Sequence, residues 1–206
     1  MRRRSMHLLA GLVATATMAA AGTASANRFS VSSLEFRLVW TPVTISDPGT
    51  GVRVECNLTL EGRFHQSTTP KTPGQLLGFI NRATLATPCT GGEATILVAT
   101  LPWHVAYEGF TGTLPAIATT SAALVGASIA FDPAGALGVC LMRTERERPL
   151  TATAVLSGSS VTAVRLDETD LITATGAFLC SSVRARLSGS GRFTTGGGGT
   201  FRITLV

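Results

Sequence analysis

The stretch Val52 to Glu61, VRVECNLTLE, constrains this chain more than any other. Val52, Val54, Cys56, Leu58 and Leu60 alternate with Arg53, Glu55, Asn57, Thr59 and Glu61. A period of two sends successive side chains to opposite faces of a strand. One face is therefore wholly apolar and the other wholly polar, with a cysteine in the middle of the apolar face. Such a strand needs a dry layer on one side and water on the other, which points to an antiparallel β-protein.

The rest of the chain repeats this theme less regularly. Leu34, Phe36, Leu38 and Trp40 share one face of a strand over 33–45, in which Pro42 calls for an edge or a bulge. The turn Asp47-Pro48-Gly49-Thr50-Gly51 joins that strand to Val52–Glu61 as a hairpin. Further strands are expected over 94–100, 103–110, 122–131, 137–142, 151–156, 161–166, 171–175, 177–187 and 200–206. Asp132-Pro133-Ala134-Gly135 should turn a second hairpin, and Gly196 to Gly199 the tip of a third. One segment has helical spacing. Over 72–83, Thr72 can cap, Pro73 can open the helix, and Leu76, Leu77, Phe79, Ile80 and Ala83 form a stripe. About nine to eleven short strands with turn signals between them predict a mainly β fold, an antiparallel sandwich or barrel, with one short helix.

The N-terminus reads as a secretory leader. Arg2, Arg3 and Arg4 precede an apolar run from Leu8 to Ala21, and Ala24-Ser25-Ala26 is a small-x-small cleavage site. The run is short of the ~20 apolar residues that span a bilayer. Residues 1–26 are thus expected to be a signal peptide cleaved near Ala26, and 27–206 a single β-rich domain. The product would be secreted or held at the cell envelope, with no transmembrane segment. Without the leader the net charge falls from +5 to +2. The remaining arginines are scattered, so no nucleic-acid surface is expected. We ascribe the excess of alanine and glycine, and the single lysine Lys71, to the coding bias of a GC-rich genome.

The four cysteines, Cys56, Cys89, Cys140 and Cys180, all lie beyond the leader. An even count in an oxidising compartment implies disulfides. Of the three possible pairings we expect Cys56–Cys89 and Cys140–Cys180. Each would close a loop of 34 or 41 residues, for which chain entropy gives roughly 3.5–4 kcal/mol. No C-x-x-C spacing or histidine cluster supports zinc.

Candidate sites are sparse. Trp103, His104, Tyr107 and Glu108 form the densest aromatic and polar group and could line a ligand groove; the plainer reading puts Trp103 and Tyr107 in the core. Asp167, Glu168 and Asp170 are the weak candidates for a metal, without the frame of a calcium loop. His65 and His104 are the only histidines beyond the leader, and no nucleophile elbow accompanies them. We assign no catalytic residue and no cofactor, and the partner is unknown.

The segments CNLTLEGRFH, KTPGQLLGFINRATL and LPWHVAYEGFTGTLP, with the spaced cysteines, resemble a family of small exported actinobacterial β-proteins. The resemblance spans essentially all of 27–206. It implies a compartment and a lineage and transfers no site residues. The leading expectation is a non-enzymatic exported β-domain acting as an envelope or extracellular interaction module. The alternatives are a secreted hydrolase or carbohydrate-active protein, and a carrier of a small apolar ligand. The last would require an interior cavity lined by apolar residues.

Overall fold

The computed structural model describes residues 28–47, 51–114, 116–134, 138–174 and 184–206, with backbone alone for 167–174 and 184. The described strands are β1 Arg28–Val31, β2 Glu35–Ser46, β3 Arg53–Phe64, β4 Thr68–Pro70, β5 Leu76–Thr90, β6 Gly92–Ile96, β7 Trp103–Thr113, β8 Ala116–Val125, β9 Ser128–Pro133, β10 Cys140–Arg143, β11 Leu150–Ser157, β12 Ser160–Ala174, β13 Arg184–Thr195 and β14 Ile203–Leu205. A single turn of 3-10 helix at Val98–Thr100 is the one helical element among the described residues.

The β2–β3 hairpin forms where the turn signals place it. Asp47 N–H donates to Val52 O at 2.9 Å, and Gly51 N–H donates to Asp47 O at 2.9 Å. Across the ladder Leu38 faces Leu60, Trp40 faces Leu58, Val43 faces Cys56 and Ile45 faces Val54. The alternation of β3 becomes a buried row of Val54, Cys56, Leu58 and Leu60. Pro42 sits in a register shift between Trp40 and Val43. Proline has no N–H for the ladder, so a bulge accommodates it in a strand paired on both sides.

Eight strands follow one another in the order β11-β8-β7-β5-β3-β2-β13-β12, and β11 pairs with β12 as well as with β8. The ring therefore closes into an antiparallel barrel. β12 pairs with β11 as far as Leu166 and with β10 from Ile172. Beyond that change of partner, β9 and β6 extend the sheet. A small separate sheet, β14-β1-β4, lies against the barrel. Its residues meet the barrel through aromatic contacts: Phe29 with Tyr107 at 5.4 Å, and Phe201, just before β14, stacked on Phe193 at 4.2 Å. Phe64 and Phe36 continue that cluster.

Several expectations are corrected. Residues 72–83 are not a helix. Thr72–Gln75 is a turn, with Gln75 N–H donating to Thr72 O at 3.0 Å, and β5 begins at Leu76. The helical look of the stripe comes from a bulge. The register of β5 on β3 shifts between the Glu61–Arg82 and Gly62–Ile80 pairs, leaving Asn81 over. Ile80 and Ala83, three residues apart, can then both face inward. The expected strand over 122–131 is two strands, β8 and β9, broken at Gly126, whose φ of +87° favours glycine. The acidic residues 167–170 do not form a turn: β12 runs through them, with a register shift against β13 between Leu166 and Thr169. The last hairpin closes only at its tip, where Thr195 N–H donates to Gly199 O at 2.9 Å; β14 then leaves to pair with β1.

Of the two expected disulfides, Cys56–Cys89 is present and joins β3 to the far part of β5. Cys140 is buried on β10, and no described cysteine is a free thiol. Cys180, its expected partner, lies outside the described residues, as does the expected leader.

Two substitutions separate a strand from a helix at 76–83. Ile80→Ala should cost about 2–5 kcal/mol, the range for an enclosed aliphatic side chain. Phe79→Ala, on the outward face beside His65, should cost about 1 kcal/mol or less. Urea denaturation of both variants reads the contrast, and equal losses would contradict the strand. By the same measurement, alanine at both Cys56 and Cys89 should lower stability by roughly 3–4 kcal/mol. A loss under about 1 kcal/mol would show that the bridge contributes little.

Candidate ligand cavity

Closing eight strands makes one face of each point inward, and an eight-stranded barrel is either just filled by its side chains or holds one small ligand. Here the filling is uneven. The large residues come from β2, β3 and β7: Phe36, Trp40, Leu58, Leu60 and Trp103 are all buried. The strands β8 and β11 contribute Thr120, Ala122, Ala152 and Ala154 instead. By strand order β8 stands across the ring from β2, and β11 across from β3. Small side chains face large ones without meeting them, and a cavity of about 120 Å³ remains between them.

None of the side chains lining this cavity is charged. Its polar groups are few, and two of them are already engaged. Trp103 Nε1–H donates to Thr100 Oγ1 at 2.8 Å, and Thr120 Oγ1 donates to Gly109 O at 3.2 Å. Trp40 differs. It lines the cavity, is 1% exposed, and its indole Nε1 has no hydrogen-bond partner in the protein. An unsatisfied buried donor costs about 1–3 kcal/mol. The indole is held tightly. A Cβ on Gly191 of β13 would stand 2.7 Å from Trp40 Cδ1, so only glycine leaves room for the ring there.

Tyr107 also lines the cavity and is buried. Burial raises its phenol above the ordinary value near 10, because the phenolate loses hydration. At the same end Lys71 Nζ lies 5.9 Å from the Phe29 ring centroid and 5.4 Å from that of Phe110.

The candidate patch 103–108 is divided by the barrel wall. Trp103 and Tyr107 point inside, as the core reading has it, whereas His104 is exposed. Glu108 sits at a register shift between Tyr107 and Gly109 and accepts a bond from Thr151 Oγ1 at 3.2 Å. The four residues do not form one groove. The side chains of Asp167, Glu168 and Asp170 lie outside the described residues. Among the described residues no three His, Cys, Asp or Glu side chains gather as a metal group. The outer face of the ring carries Arg37–Glu61 and Arg82–Glu61 ion pairs at 3.6 and 3.5 Å. Such exposed pairs contribute little to stability.

The sequence reading missed Trp40, Ala122, Ala152 and Ala154 as cavity residues. The available signal was alanine at every second position of two strands, against tryptophan and leucine on others. No protein-family model, curated protein or solved structure matches the chain.

Tyr107 is the one tyrosine of the chain, so alkaline absorbance titration reports a single phenol. Its folded value is raised, so its contribution to stability is intact below pH 10 and is lost as the pH climbs through the folded value. The phenolate band should therefore appear above pH 10, together with loss of stability. A normal titration of the folded protein would contradict the burial.

Proposed function

We propose that the protein is an exported, non-enzymatic β-barrel that holds a small, uncharged apolar ligand inside its ring of strands. The observation that carries this reading is the apolar cavity of about 120 Å³ enclosed by the closed barrel. An apolar cavity of about 150 Å³ can stay dry and take up benzene, so the size suits a molecule of one ring or a short chain. Charged occupants are disfavoured, since a buried ion without a counter-charge is costly.

Export is supported by the leader pattern of residues 1–26 and by the Cys56–Cys89 bridge, which an oxidising compartment sustains. The likeness to exported actinobacterial β-proteins agrees with it. No helix among the described residues is long and apolar enough to cross a membrane. A barrel standing in lipid would need apolar side chains outside; here the polar face of β3, with Arg53, Asn57 and Glu61, is the outward one. The hydrolase alternative requires Trp103, His104 and Glu108 to meet at one groove, and the division of these residues by the barrel wall counts against it.

The test is ligand-linked stability. Saturating toluene should raise the melting temperature by several degrees, as a ligand that binds only the folded state does. Ala154→Leu, which fills the cavity from β11, should abolish that rise while leaving the ligand-free protein folded. Absence of any toluene effect on the unsubstituted protein would refute the carrier reading.

A further inference from the structure

We propose that the cavity's occupant is a neutral apolar carbonyl compound, a ketone or aldehyde, whose oxygen accepts the indole N–H of Trp40. This rests on reading the cavity as a ligand site. Three observations lead to it. Trp40 lines the cavity, is 1% exposed, and its Nε1 has no partner in the protein. An indole N–H can only donate, so the group it awaits must be an acceptor. The other indole on the wall, Trp103, is already satisfied by Thr100 at 2.8 Å.

The chemistry of the wall narrows the acceptor. No lining side chain carries a positive charge, so a carboxylate or phosphate would enter without a counter-ion. Water is a poor occupant, because a buried water needs two to four polar partners, and here Trp103 and Thr120 have spent theirs within the protein. A hydroxyl compound would bring a donor of its own, whereas a carbonyl brings none. The donor is also held in place. Gly191 and Gly189 pack against Trp40 Cδ1, the carbon next to Nε1, with built Cβ positions 2.7 and 3.5 Å away. The ring is fixed before the ligand arrives, so little ordering opposes the bond.

The experiment compares two probes of one shape, acetophenone and α-methylstyrene, which differ by a carbonyl oxygen in place of a methylene. Dissociation constants are measured by calorimetry on the disulfide-bonded protein and on Trp40→Phe. The ratio favouring acetophenone should fall by about three- to tenfold in the variant, the weight of one net hydrogen bond. If both probes bind and the ratio is unchanged, the Trp40 assignment is overturned and the cavity reading stands. If neither probe binds the unsubstituted protein, the cavity reading fails with it. A second measurement needs no variant. The protein has two tryptophans, so its ¹H–¹⁵N spectrum holds two indole signals. One should move downfield with acetophenone and stay with α-methylstyrene; identical responses to both probes would overturn the assignment even if Trp40→Phe does not fold.

Discussion

Everything in this structure depends on β11 pairing on both sides, with β8 and with β12. That double pairing turns an open sheet into a ring. A closed ring has no edge, so its backbone groups are satisfied within it and it offers no template for edge-to-edge association. Closure also imposes a rule on every strand at once: one face sees the interior and the other sees water. The regularity of β3 is that rule written most clearly, with Val54, Cys56, Leu58 and Leu60 inward. The interior volume is then set by eight strands, and only the side chains decide how much of it is filled.

Rings of strands need corners, and here the corners are bulges. β2 shifts register at Thr41–Pro42, and its neighbour β13 shifts between Ser188 and Gly191 at the same level. A bulge bends its strand and increases the local twist. The pair also leaves the space beside Gly191 into which the Trp40 ring fits. The device that curves the wall therefore also presents the indole to the interior. At the end where β1, β4 and β14 pack, the ring cluster of Phe36, Phe64, Phe193 and Phe201 fills the gap. Phe201 is wholly buried although it belongs to neither ring nor cap strand, which makes it the seam between them.

How much of this was legible follows from where each pattern was local. The β2–β3 hairpin could be read because its alternation, its turn and its proline all lie within one short stretch. The Cys56–Cys89 bridge could be read from parity and compartment. The segment 76–83 could not, because a bulged strand brings residues three apart to one face, and that spacing is also helical. The break at Gly126 was hidden by apolar residues in phase on either side of it. The cavity was the least legible. It results from a difference in side-chain size between strands that meet only after closure, and the alanines that create it looked like genomic bias. Strand order is a long-range property, so nothing within β8 or β11 alone announces what stands opposite.

The alanines of β8 and β11 bear on whether the cavity is incidental. An unfilled cavity costs about 24 cal/mol per Å³ in a folded core, which for this volume is about 3 kcal/mol. That is a large share of the 5–15 kcal/mol by which domains are stable, and roughly what the Cys56–Cys89 loop can return. Leucine at position 152 or 154 would close much of the space, and each replaces only a few atoms. The unpartnered Trp40 N–H adds a second cost at the same place. Two independent destabilising features, one of volume and one of polarity, coincide on one surface of the interior. Strain and unmet polarity concentrate where a protein meets its ligand, and a molecule that fills the volume and accepts the N–H removes both costs together.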